Sequence, residues 1–269
     1  MAGTFNNDPV SLAHRALCGL VGRNPRGPVD AKRAIFMIDP LADKAKPIDP
    51  SGKSLLAVVK QIIGAAVSGA RYLTADMELF ARQDVFSRYQ LVPFRVDRQA
   101  VGEAALAGTT LYAAAGWCAR EFRAHDFLLG RANMRAYITH QLVLRGDNSL
   151  FKGWSNDQRM DYARTIDGGR LEIAASAPHD SYYLPILPDL TSSPDVDPRW
   201  PVNAADPDRL REPLEKRLKA VLDRLVADNA DGALPWIVRM FTLPGVADFV
   251  AKEVIESWKQ ELKEAGLKM

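Results

Sequence analysis

The sequence predicts an α/β fold in which helix predominates, and three observations carry that prediction. Apolar residues recur at helical spacing over most of the chain. One short, bulky run closed by proline has the pattern of a strand, and a Pro/Asp-rich stretch separates the body from two C-terminal helices.

Asn7-Asp8-Pro9 is a cap followed by proline in the first turn, and it opens a helix through Leu12, Ala13, Ala16 and Leu17. Gly19, Gly22 and the run Asn24-Pro25-Arg26-Gly27-Pro28 end that helix in a loop. Ala34-Ile35-Phe36-Met37-Ile38, stopped by Asp39-Pro40, predicts a buried strand. After the loop around Pro47 and Pro50, a long helical segment is expected from about 54 to 89, with small residues from Gly64 to Ala70 that permit close packing. Pro93 breaks the pattern, and helical signals resume from about 99 to 142, ending at Gly146-Asp147-Asn148. One more short helix is expected at 154–163 and a short strand at 171–173. Recurrent Pro and Asp between 177 and 208 predict a linker or wrapping loop. Two helices follow, at about 210–227 and 246–265. The expected organisation is therefore 1–176, 177–208 and 209–269.

Composition excludes classes without selecting one. The 269 residues carry 35 Lys plus Arg against 33 Asp plus Glu, a net charge of +2 that gives no electrostatic case for a nucleic-acid partner. A mean hydropathy of −0.16 argues against an integral membrane protein. The most apolar stretch, 55–70, is interrupted by Lys60 and Gln61 and stopped by Arg71, too short and too polar to span a bilayer. Cys18 and Cys118 form no CxxC pair, which excludes a zinc ribbon and a dithiol redox motif; buried free thiols in a reducing cytoplasm are expected. The first residues show no basic n-region and no apolar h-region, so no secretory signal is read there.

Candidate chemistry is sparse. Ser51-Gly52-Lys53-Ser54 precedes a helical segment, but a phosphate loop needs glycine where Pro47 stands, so Ser51 is read as a cap. Gly153-Trp154-Ser155-Asn156-Asp157 begins a nucleophile elbow and ends in aspartate, where the strained turn requires glycine. Val67-Ser68-Gly69 lacks the leading glycine. His125-Asp126 suggests a metal-dependent hydrolase in which only His140 would serve as a second histidine ligand. The competing reading is a polar cluster of Arg123, His125, Asp126 and Arg131 that joins helices by hydrogen bonds. The last helix sets Val246, Phe249, Val250, Val254, Trp258 and Leu262 on one face. Its other face mixes Lys and Glu, which suits docking on protein better than on an anionic membrane.

Several segments, in order, match one family together. They are Gly3-Thr4-Phe5-Asn6-Asn7-Asp8-Pro9, Ile35-Phe36-Met37-Ile38-Asp39-Pro40, Ser87-Arg88-Tyr89-Gln90-Leu91-Val92-Pro93-Phe94-Arg95, Phe122-Arg123-Ala124-His125-Asp126-Phe127-Leu128-Leu129-Gly130-Arg131-Ala132-Asn133 and Tyr183-Leu184-Pro185-Ile186-Leu187-Pro188. In this pattern the chain resembles large bacterial members of the patatin-like phospholipases. The fourth segment is similar to their long Phe-Arg-x-His-Asp signature. The resemblance implies an α/β fold and a Ser–Asp dyad that cleaves acyl esters of lipids, with no metal and no cofactor; the aspartate acts as base on the serine.

The family's serine and its oxyanion loop lie upstream of its aspartate, and the aspartate's own position falls on Met1, with Ala2 where a glycine belongs. The resemblance therefore implies no catalytic residue in this chain. It implies that Gly3, Asn6 and Asn7 line the substrate site, that 1–176 is the C-terminal part of a patatin-like domain plus a helical cap over the acyl pocket, and that 209–269 is a helical extension. The chain would be a separate subunit, a processed product or a truncated form. The implied partners are a lipid or acyl-ester substrate and an upstream segment or second chain carrying the serine, in the cytoplasm, with peripheral membrane contact left open. Asp167-Gly168-Gly169 spells the aspartate motif again but is read as a turn. A non-enzymatic helical binding or regulatory protein that kept the family scaffold is the alternative.

Overall fold

A computed structural model of the chain describes residues 10–18, 24–38, 78–80, 82, 84–166, 169–188, 197–228 and 245–267. It is a mixture of helices and small sheets, divided into two units: Met1–Ala105 with Leu129–Asp197, and Leu106–Leu128 with Pro198–Met269.

In the first unit the predicted strand is β1, Ile35–Ile38, and it pairs in parallel with β2, Arg88–Leu91, in the register Ile35↔Arg88 to Ile38↔Leu91. A parallel pair needs a long crossover, and residues 39–87 separate the two strands. The strand alternates instead of being buried on both faces. Ile35 and Met37 pack with Phe80 and with Val10 and Leu17 of α1, Val10–Cys18. Phe36 turns the other way, 5.1 Å from the Tyr89 ring and 5.9 Å from that of Tyr137. Helical side chains thus cover one face of the pair, while Phe36 and Ile38 on the other stay exposed at 38% and 65%.

β2 overturns the expected helix to residue 89. The backbone of Arg88–Leu91 is extended against β1, and Pro93 disfavours helix in the residue before it. The segment expected at 54–77 lies outside the described residues, as do the caps at Asn7, Asp8 and Ser51.

The continuous helical signal over 99–142 is also broken. β3, Phe94–Arg95, and β4, Ala100–Val101, form a short hairpin, and Gly102 adopts a left-handed φ of 66°. Helix restarts as α2 (Thr110–Ala113), α3 (Ala115–Cys118) and α4 (Arg120–His140), with Ala119 extended before the last. β5, Val143–Arg145, pairs antiparallel with β6, Tyr183–Pro185, so part of the Pro/Asp-rich stretch is sheet. The strand expected at 171–173 does not form; Leu171 only donates its N–H to the Ala163 carbonyl.

Around β5 and β6 a core of Phe86, Leu144, Phe151, Ala163, Tyr182 and Leu184 is closed by Asn148. That side chain is 1% exposed. Its Nδ2 donates to the carbonyls of Pro28 and Ala31, both at 3.0 Å, while its Oδ1 accepts from the Leu150 N–H at 2.9 Å. Short helix α5, Asn156–Tyr162, follows the capping box formed by Ser155 and Gln158.

In the second unit α6, Arg211–Asp228, and α7, Val246–Glu264, match the expected pair of helices closely. The buried face of α7 differs from the one expected. Ala251, Ile255, Trp258 and Leu262 face inward, whereas Phe249 is exposed and Val246, Val250 and Val254 are half-buried. Trp258 fixes this rotation, because its Nε1 donates to Thr110 Oγ1 at 3.0 Å in the core with Phe122 and Ala115. The two cysteines are free, but Cys18 is half-buried and Cys118 exposed, which corrects the expectation of buried thiols. Among the described residues no helix is long and apolar enough to cross a membrane.

Asn148→Ala strands two carbonyls and an amide in the core, so unfolding in urea is expected to show a loss of about 2–4 kcal/mol. Tyr89 behaves in the opposite sense: its buried hydroxyl has no hydrogen-bond partner among the described residues. Tyr89→Phe should therefore leave stability unchanged or raise it by up to about 1 kcal/mol in the same assay. Burial also pushes the Tyr89 and Tyr137 phenols well above the ordinary tyrosine range. Groups raised on folding stabilise below their unfolded value and lose that contribution as pH rises. Wild type should therefore unfold earlier than Tyr89→Phe when titrated above about pH 10, read by circular dichroism.

Candidate functional site

The long signature segment is the only dense constellation of candidate residues inside the described chain. Its positions resolve into scaffold contacts, beginning with Phe122, which is fully buried in the core of the second unit.

Asp126 is the centre. Its Oδ1 accepts the Ala107 N–H at 2.8 Å and its Oδ2 accepts the Gly108 N–H at 2.9 Å, so the carboxylate receives two consecutive backbone amides. His125 Nδ1 lies 2.8 Å from the same Oδ1. Since a carboxylate accepts, Nδ1 carries the proton. The pair thus has the polarity of the Asp–His half of a catalytic triad. The imidazole, however, is 3% exposed and meets the Trp200 ring edge-to-face at 5.0 Å, which makes it a packing element and closes it to substrate. Arg123 does not join this pair. It donates to the carbonyls of Gly116 at 2.5 Å and Trp117 at 3.3 Å. Arg131 is exposed.

The amides held by Asp126 precede a difficult stretch of backbone. Leu111 and Ala113 have φ of 53° and 64°, a region that costs a side-chain-bearing residue about 1 kcal/mol or more. Glu261 Oε2 accepts the Leu111 N–H at 2.7 Å, and the Thr110 hydroxyl accepts from Trp258. These bonds hold residues 107–111 in place. Gly108 cannot be replaced freely, since a Cβ there would stand 2.6 Å from Asp126 Oδ2.

Asn133 was not singled out by its chemistry, yet it does the most specific work in the first unit. Phe94 donates its N–H to Asn133 Oδ1, and Asn133 Nδ2 donates to the Phe94 carbonyl, both at 2.8 Å. The side-chain amide pairs with β3 as a neighbouring strand would. Arg95, buried beside it in sequence, grips Asp97 through two bonds and holds that carboxyl below the ordinary range. Arg159 is a further residue missed in the sequence: its guanidinium is 8% exposed and donates to the carbonyls of Gly146, Phe151 and Trp154.

Gly3, Asn6, Asn7, Ser68, Asp167 and Gly168 lie outside the described residues. Ser155 is exposed, and its hydroxyl accepts the Gln158 N–H at 3.2 Å as the cap of α5. His140 sits fifteen residues beyond His125 on α4, roughly 22 Å of helical rise, so the two cannot share an ion. Among the described residues no group of three or more His, Cys, Asp or Glu could hold a metal. A concavity of about 380 Å³ is lined by Met160, Asp161, Arg170, Leu171, Glu172 and Ile173, with no serine, cysteine or histidine in that lining.

The chain is 26% identical over 247 residues to Uncharacterized protein y4iI of Sinorhizobium fredii (strain NBRC 101917 / NGR234), a match covering 86% of this chain and 34% of that protein. The chain thus spans about a third of the length of the curated relative it matches. No family model matches it, and no solved structure does.

Truncating Asp126 to alanine leaves two buried-side amides without their acceptor and is expected to cost about 2–4 kcal/mol in chemical unfolding. Gly108→Ala should cost about 1–3 kcal/mol alone. Its cost should shrink in the Asp126→Ala background, because the clashing oxygen is gone; additive costs would show that the two positions do not meet.

Proposed function

We propose that the chain is the C-terminal, non-catalytic portion of a patatin-like lipid acyl hydrolase, acting in the cytoplasm as scaffold for a serine carried upstream or on another chain. On this reading β1 and β2 belong to the hydrolase sheet, and the helices after Pro93 form the cap over an acyl chain. One observation carries it. Phe122, Arg123, His125, Asp126 and Asn133 of the family-like signature are engaged in packing or in bonds to backbone, as a scaffold segment requires. The length of the relative gives support of a different kind: a segment like this one occurs within a protein about three times as long.

The chain purified alone is expected to give no turnover of p-nitrophenyl esters above buffer and no labelling by a fluorophosphonate probe. Serine labelling in the isolated chain would overturn the claim that it is inert. An immunoblot of the native source with an anti-peptide serum should show a band well above 29.7 kDa or a tightly associated, probe-labelled partner. A 29.7 kDa band with neither would remove the hydrolase reading.

A further inference from the structure

The second unit displays two aromatic side chains that its core does not use. Trp117, on α3, is 86% exposed, and Phe127, on α4, is 70% exposed with Leu128 next to it at 41%. Their exposure follows from what is anchored. Ala115, Ala119 and Phe122 are buried on the inner side of the same two helices, which leaves Trp117, Ala124 and Phe127 outward.

Arg123 links the two aromatics. Its guanidinium donates to the Trp117 carbonyl, and Phe127 stands one turn further along on the same helical face. Arg120 is exposed one turn before Ala124 on that face. Of the exposed charged residues between 117 and 128, Arg120 and Arg123 stand against Glu121 alone. The Asp126 carboxylate is engaged by the amides of Ala107 and Gly108.

We propose that this face docks on an anionic lipid surface, Trp117 and Phe127 entering the headgroup layer while Arg120 and Arg123 meet lipid phosphates. The exposure fits a lipid interface. An indole projecting by nearly nine-tenths of its surface enters a headgroup layer without a shaped pocket, its ring in the apolar zone and its N–H still hydrated. The charge argues for an anionic surface, since guanidinium pairs with phosphate while the apolar stems and rings stay in contact with lipid. This surface is distinct from any ester chemistry, so it goes beyond the proposed function.

The test is co-sedimentation of the full chain with vesicles of equal parts phosphatidylcholine and phosphatidylglycerol, against vesicles of phosphatidylcholine alone. Wild type should pellet with the mixed vesicles, and its apparent partition should fall about tenfold or more in Trp117→Ala/Phe127→Ala. Both positions are exposed, so that variant should keep the wild-type circular dichroism. Arg120→Glu, which leaves the aromatics in place, should weaken binding to the mixed vesicles, and added salt should do the same. Failure of wild type to pellet, or equal pelleting of wild type and the aromatic variant, would overturn the proposal. So would a wild-type dimer in light scattering that the aromatic variant abolishes, since a second copy would then cover the face. A longer protein without esterase activity would defeat the hydrolase reading and leave these outcomes unchanged.

Discussion

The second unit depends on a single carboxylate that receives two backbone amides in succession. Residues 107–111 cannot supply their own hydrogen bonds, because the backbone there leaves helix and re-enters it with left-handed residues at Leu111 and Ala113. Asp126 supplies the first two acceptors, Trp258 meets the Thr110 hydroxyl, and Glu261 accepts from Leu111. Two distant parts of the chain, α4 and α7, therefore converge on five residues. The bonds are charge-assisted at both carboxylates, which makes each stronger than a neutral pair and offsets the backbone cost locally.

This use of Asp126 bears on how a His-Asp sequence should be understood. The same two residue types serve in metal hydrolases and in serine triads, and nothing in their adjacency distinguishes those roles from support. Burial does distinguish them. An imidazole enclosed against Trp200 has no open route to a substrate, and the carboxylate beside it is engaged in holding two backbone amides and the imidazole N–H. The chemistry of the pair is spent inside the fold. Asn133 makes the same point from the first unit, where an amide side chain stands in for a strand.

Much of the fold was legible in the sequence wherever a local pattern decided the outcome. Helices α1, α5, α6 and α7 and strand β1 follow from periodicity, caps and a proline stop. The misses share a cause. β2 and β6 are strands only because β1 and β5 lie beside them, and a partner at long sequence separation leaves no local mark on Arg88–Leu91 or Tyr183–Pro185. The breaks before Arg120 were equally hidden, since they arise from bonds to Asp126 and Glu261 instead of from propensity. At the candidate site the residue types of the signature were visible in the sequence, but the direction each side chain takes was not. Arg123 was expected beside His125 and Asp126, and the structure turns it to the carbonyls of Gly116 and Trp117 instead.

The parallel pairing of β1 with β2 also sets a clock. Fifty-three residues separate Ile35 from its partner Arg88, so at typical synthesis speeds β1 leaves the ribosome roughly three to ten seconds before β2 exists. During that interval Ile35-Phe36-Met37-Ile38 is an apolar run without a ladder, the kind of segment that pairs with any extended neighbour. Contacts between β1 and α1, which precede β2 in the chain, are available earlier and can shelter Ile35 and Met37 first. Phe36 meets its described aromatic neighbours, Tyr89 and Tyr137, only once those later segments are made. The order of synthesis thus makes the outer face of β1, Phe36 and Ile38, a transient point of adhesion among the described residues, and dilution or chaperone capture during translation should matter more than the finished surface suggests.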